Sequence, residues 1–162
     1  MKTSMSSRVV NIIVACGIVL TLLALLATPL LLTAFLKSAY SILEQDMVTV
    51  ITSSIYLCAV PFVMALFQLK KLSKIAVGGN PFTHHTAKAL KVIAVCAFIE
   101  IVLFNGCSVF LIYAYDLFLY AATIVPMVVV TFIALTGGLL SLTLAQLFEE
   151  AARIKEENDQ TI

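Results

Sequence analysis

Charged residues divide the chain into four long stretches that carry almost no charge. Residues 9–36 contain none, nor do 47–69, nor 117–148. Residues 92–115 contain one, Glu100. A helix needs roughly 20 apolar residues to cross the hydrocarbon core of a bilayer. Lipid offers the backbone no hydrogen-bond partners, so helices are the expected solution. The short alternating segments of a β-barrel are absent from the pattern. The pattern therefore predicts an all-α membrane protein with four transmembrane helices, spanning about 9–36, 47–69, 92–115 and 120–148. All four belong to one domain covering 1–162.

The apolar periodicity does not stop at the span ends. After Leu69 the stretch "KKLSKIAV" keeps Leu69, Leu72 and Ile75 at helical spacing, and Gly78–Gly79 suits a helix end. Asn80–Pro81 requires a turn, and Thr83 is the expected cap of a third helix that starts before the membrane. The fourth run continues through "LAQLFEEAARIKEEN", with Leu144, Leu147, Phe148, Ala151 and Ile154 along one side. A helical tail over 149–158 is predicted. Helices two, three and four are thus expected to protrude on one side of the membrane. Pro29, Pro61 and Pro126 fall in or near the spans and are candidate kinks. Asp116, flanked by Tyr113, Tyr115 and Tyr120, marks the short turn on the opposite side.

Charge assigns that side. Lys2, Arg8, Lys70, Lys71, Lys74, Lys88, Lys91, Arg153 and Lys155 lie on the side of the termini, and Lys37 alone lies on the other. Basic residues favour the cytosolic side, so both termini and the central connection are expected in the cytosol, as in a multi-pass protein of the cell membrane. The first run is too long for the apolar part of a cleaved signal peptide and is read as a retained helix. There is no lipidation signature. Overall 62% of residues are hydrophobic and 12% charged, about half the charge of a typical soluble domain. The net charge of +1 gives no reason to expect direct nucleic-acid binding.

Glu100 is the one charged residue inside a span. Carboxylates at membrane depth usually face the protein interior and often mark function. Depth matching makes Tyr56, Thr136 and Ser141 its expected hydrogen-bond partners. One reading is an ionisable transport centre; the other is a protonated packing contact. Cys16, Cys58, Cys96 and Cys107 all lie in spans without CxxC spacing. Cys96 and Cys107, about 16 Å apart along one helix, are too far apart to bridge. The cysteines are therefore read as small packing residues. His84 and His85 lack the i, i+4 spacing of helical metal ligands, and no metal or cofactor is expected. Ala134 with Gly138, and Gly137 with Ser141, are small residues four apart that permit close helix approach or a homo-oligomer. The lysines of the central connection suit anionic lipid headgroups or simply record topology. No zinc-protease, phosphate-loop or nucleophile-elbow motif occurs, so an enzyme is not expected.

The tail "FEEAARIKEENDQTI" resembles the C-terminal signature of the YoaS-like family, small four-span bacterial membrane proteins of unknown function. Ile154, Glu156, Glu157, Asp159, Thr161 and Ile162 fill the family's positions. "NPFT", Asn80 to Thr83, matches its connection between the second and third spans. Ala151 stands where the family has glycine, and Glu149–Glu150 where basic residues are common. Such proteins are often encoded beside a small helix-turn-helix regulator of the Cro type. The resemblance implies a membrane partner that holds or releases a cytosolic DNA-binding protein. Phe82, Thr83, Glu156, Glu157, Asp159 and Thr161 are then the expected docking residues. The leading expectation is a non-enzymatic scaffold or regulator. The alternative is a small oligomeric transporter or channel subunit centred on Glu100, and a weaker third is a membrane enzyme acting on lipid or quinone.

Overall fold

The structure is a computed structural model that describes residues 2–40, 45–77, 83–115 and 120–159. Four helices account for nearly all of them: α1 (Lys2–Tyr40), α2 (Gln45–Val77), α3 (His84–Tyr115) and α4 (Tyr120–Asp159). All four are long and apolar enough to cross a membrane, over Val9–Phe35, Asp46–Ile75, His84–Ala114 and Ile124–Asn158. Large apolar side chains remain exposed along every helix; Leu30 on α1 and Val102 on α3 each keep more than two thirds of their surface open. In water such a surface would drive aggregation. Against lipid tails it costs nothing, so the chain is a four-helix membrane protein.

Several hydroxyls within the spans are satisfied locally. Thr21, Thr28, Ser53, Thr136 and Thr143 each donate a hydroxyl to the carbonyl four residues earlier, at 2.7–2.9 Å. That bond is already available in the helix, so a hydroxyl needs no neighbour to tolerate lipid. Pro29, Pro61 and Pro126 all sit inside continuous helices.

The helices pack in chain order: α1 on α2, α2 on α3, α3 on α4, with no further helix pairing at backbone level among the described residues. A small apolar cluster of Met47 and Ile51 with Leu32 and Leu111 joins α1, α2 and α3 at the end away from the termini. Asn105 on α3 donates to the Thr131 hydroxyl on α4 at 2.9 Å, and also to its own helix at Ile101.

The α3–α4 seam is the most extensive. Its register can be read from the cross-helix contacts. Asn105 meets Thr131, Lys91 meets Glu149, and His84 meets Glu156. In that antiparallel register Ala94 lies level with Ala145, and Ala87 with Ala152. These four alanines are the most deeply buried residues in the chain, together with Ala89 and Thr86. Gly138, Ala145 and Ala152 recur every seven residues, which keeps one narrow stripe of α4 turned to its neighbour. Small residues on both helices let the backbones approach closely, which is the main source of association where lipid replaces water. All of the seam's buried alanines lie in the half of the molecule nearer the chain termini.

Candidate functional site

Two regions bring chemistry-bearing residues together. The first is the end of the molecule where α2 finishes, α3 begins and α4 finishes. Thr83 opens α3: its carbonyl accepts from the Thr86 and Ala87 amides at 3.0 and 3.3 Å, and its hydroxyl lies 3.1 Å from that of Thr86. The expected cap is therefore present, and the Thr83 side chain faces its own helix rather than standing free for a partner. α4 runs unbroken through the uncharged stretch and on to Asp159. At about 1.5 Å per residue it reaches roughly 60 Å, twice the hydrocarbon thickness.

Ion pairs hold this extension in place. Lys91 Nζ donates to Glu149 Oε2 at 2.6 Å, and His84 Nε2 lies 3.4 Å from Glu156 Oε1. Ala152 is buried between those two rungs. Along α4 itself Arg153 bridges Glu150 and Glu157, one turn to either side. Two of the expected docking acids, Glu156 and Glu157, thus serve within the chain. Asp159 closes α4. Phe82 and Thr161 lie outside the described residues, as does the "GGNPF" turn. Lys70, Lys71, Lys74 and Lys88 carry no ion pair among the described residues, and Lys71, Lys74 and Lys88 are exposed. The charge this end leaves uncompensated is positive.

The hydrogen bond from Lys91, and then its charge, hold the Glu149 carboxyl below the usual carboxylate range. A carboxyl with a lowered folded-state value binds protons less readily than in the unfolded chain. Its contribution is complete above the unfolded value, about 4.3, and disappears as pH falls through the lowered one. Acidification from neutral to below pH ~4 is expected to loosen the α4 extension, read as higher mobility of a spin label at exposed position Ile154. Glu149→Gln should remove the acid-dependent part of that change. Equal pH profiles for the two proteins would contradict the assignment.

The second region surrounds Glu100. A cavity of about 440 Å³ lies among α1, α2 and α3, and one of about 340 Å³ among α2, α3 and α4. Glu100 and Phe62 line both. Glu100 Oε2 is buried and has no hydrogen-bond partner among the described residues. The expected partners are placed otherwise. Tyr56 donates to the Leu25 carbonyl on α1 at 3.1 Å, and Thr136 to Phe132 on its own helix at 2.8 Å. Ser141 lines the smaller cavity with Glu100 but forms no hydrogen bond to it. The expected hydrogen bonds from Tyr56, Thr136 and Ser141 to Glu100 are therefore corrected: depth matching did not find the helix faces.

Sequence reasoning missed one constellation here. Cys58 on α2 and Cys107 on α3 line the larger cavity with Glu100. Pairing by CxxC spacing could not find them; matching residues by depth across two antiparallel helices could. Among the described residues no group of three His, Cys, Asp or Glu side chains is arranged to hold a metal.

No curated protein and no solved structure matches the chain. The family model described as "Protein of unknown function (DUF2975)" matches residues 32–162, which takes in all of α2, α3 and α4 and the end of α1. The match includes both regions described above, from Cys58 and Glu100 to the end of the α4 extension, and the chain belongs to the DUF2975 family.

Proposed function

We propose that the protein is a non-enzymatic membrane scaffold of the bacterial cell membrane that presents the end of α2, the start of α3 and the α4 extension to a cytosolic protein. The carrying observation is the α4 extension, continuous to Asp159 and clamped onto α3 by the Lys91–Glu149 and His84–Glu156 pairs around buried Ala152. A tail with no role would gain little from such a clamp, since exposed pairs contribute only about 0–1 kcal/mol each. Here the pairs act with a buried alanine seam, and the result is a defined surface. The distribution of basic residues supports a cytosolic location for it. The resemblance to YoaS-like proteins supports a small helix-turn-helix regulator as the partner. Of the other expected contact residues, Asp159 closes α4 beyond the clamp, while Phe82 and Thr161 lie outside the described residues. Lys70, Lys71, Lys74 and Lys88, which carry no ion pair among the described residues, suit anionic headgroups that would fix the surface's height above the bilayer.

A second reading rests on Glu100. The Glu100 side chain lines cavities on both sides of α3, and its buried Oε2 has no hydrogen-bond partner among the described residues, an arrangement suited to a proton- or cation-handling carboxyl in an oligomeric transporter or channel subunit. One substitution separates the two. Under the scaffold reading Glu100→Gln leaves partner binding unchanged, and proton flux in liposomes stays at the lipid background for both proteins. Flux from the wild-type chain that Glu100→Gln abolishes would favour the transporter.

A further inference from the structure

The two cavities beside Glu100 share little polar lining. Glu100 and Phe62 belong to both, and no second carboxyl and no basic side chain lines either. Most hydroxyls of the larger cavity are engaged. Thr21, Thr28 and Ser54 each donate to the carbonyl four residues earlier, at 2.8–2.9 Å, so those protons are not offered to the carboxyl. Ser108 adds one hydroxyl to the larger cavity and Ser141 one to the smaller. Every other lining residue is apolar or a cysteine. Inside this lining the buried Oε2 of Glu100 has no hydrogen-bond partner among the described residues. A buried polar atom in that state calls for a physical reason.

The lining narrows the chemistry of a ligand. A lone carboxylate repels anions and balances one positive charge. Mg²⁺ or Ca²⁺ takes about six or more oxygen ligands, and one charge is half of what a divalent ion needs. A bare monovalent metal ion requires a ring of oxygens to replace its hydration shell, whereas these walls are chiefly carbon. An organic cation carries its own apolar surface and loses little hydration on entering. Phe62 and Phe104 line the larger cavity, and aromatic faces attract such a cation. A volume of about 440 Å³ lies in the range of small-molecule sites.

We propose that the larger cavity is a binding site for an amphipathic organic monocation, a protonated amine or a quaternary ammonium or phosphonium. Its charge is set against Glu100 and its apolar groups among Leu25, Phe62, Phe104 and Leu111. The cation supplies the counter-charge that no side chain lining either cavity provides. The proposal deepens the second reading above and rests on its premise that Glu100 handles a cation. It requires binding and not transport, and it leaves the α4 clamp untouched.

The test measures binding of methyltriphenylphosphonium to the full-length chain in lipid nanodiscs, with protein-free nanodiscs as the partition blank. Saturable binding of one probe per chain is expected. Glu100→Gln keeps the side-chain shape and should weaken binding roughly 30-fold or more. Glu149→Gln removes a carboxylate of the α4 extension and should leave binding unchanged. Triphenylphosphine oxide, neutral and of nearly the same shape, should not compete, and neither should sodium in large excess. Wild-type chain without saturable binding would overturn the proposal, and that arm requires no variant to fold. Wild-type affinity in Glu100→Gln, or displacement by the phosphine oxide or by sodium, would overturn it as well. The liposome assay separates it from the transporter reading. Glu100-dependent proton flux without probe binding sinks the proposal alone, and Glu100-dependent binding without flux sinks the transporter alone.

Discussion

Leucine at position 138 is expected to push α3 and α4 apart, whereas leucine at position 137 is expected to be tolerated. A Cβ added to Gly138 would meet the Phe98 ring at 3.2 Å and the Ala97 Cβ at 3.3 Å. Alanine there requires the neighbours to move by a few tenths of an ångström, and the helix preference for alanine over glycine, about 0.8–1.0 kcal/mol, offsets part of the strain. Leucine has no such escape, and overpacking a tight contact costs about 1–3 kcal/mol. Gly137 has nothing within 4 Å of its added Cβ and lines the smaller cavity beside Glu100. Gly138→Leu should therefore unfold at lower denaturant in bicelles by the equivalent of about 1–3 kcal/mol, and Gly137→Leu should match wild type. Equal behaviour of the two variants would mean that α4 does not present the Gly138, Ala145, Ala152 stripe to α3.

The second large effect is expected at the other end of that stripe. Ala152 is buried between the Lys91–Glu149 and His84–Glu156 pairs. Aspartate at this position would bury a carboxylate against α3, where the flanking cations Lys91 and His84 are already paired with Glu149 and Glu156. Burying an unpaired polar group costs about 1–3 kcal/mol in proteins, and a charge costs more. The last turns of a helix can avoid that cost by peeling away. Ala152→Asp should therefore release the α4 extension while leaving the membrane spans folded. Opening by 1–3 kcal/mol corresponds to about 5–150-fold, read as a proportionate increase in tryptic cleavage at Arg153 and Lys155. Exposed Ile154, two positions away, gives the control: Ile154→Asp should leave cleavage near the wild-type rate. Comparable release by both substitutions would show that the extension is not docked through Ala152.

Much of this architecture was legible in the sequence because its physical causes are local. Twenty or more residues with at most one charge among them have one solution in lipid, so the four spans follow from composition alone. Thr83 was identifiable as a cap because capping depends on neighbours two or three positions away. The full lengths of α2, α3 and α4 follow from apolar spacing that continues past Leu69, before Val92 and past Phe148. Contacts between helices were another matter. Tyr56 and Thr136 share the depth of Glu100, yet each hydroxyl finds a backbone carbonyl, on α1 and on α4 respectively. A serine or threonine in lipid can always turn back on its own helix, so depth alone does not select partners. That Cys58 and Cys107 line one cavity was illegible for a related reason, since it depends on the rotation of two helices. The α4 stripe was accessible but overlooked: attention fell on small residues four apart, while the packed ones recur every seven.

The central claim is that the α4 extension, held on α3, is the working surface of the protein. The most direct measurement compares proteins co-purified in mild detergent from the native cell by three forms of the chain: full length, Glu100→Gln, and a chain ending at Phe148. The expected result is a small helix-turn-helix regulator retained in equal amount by the first two and lost from the third. Retention of the same proteins by the chain ending at Phe148 would contradict the claim.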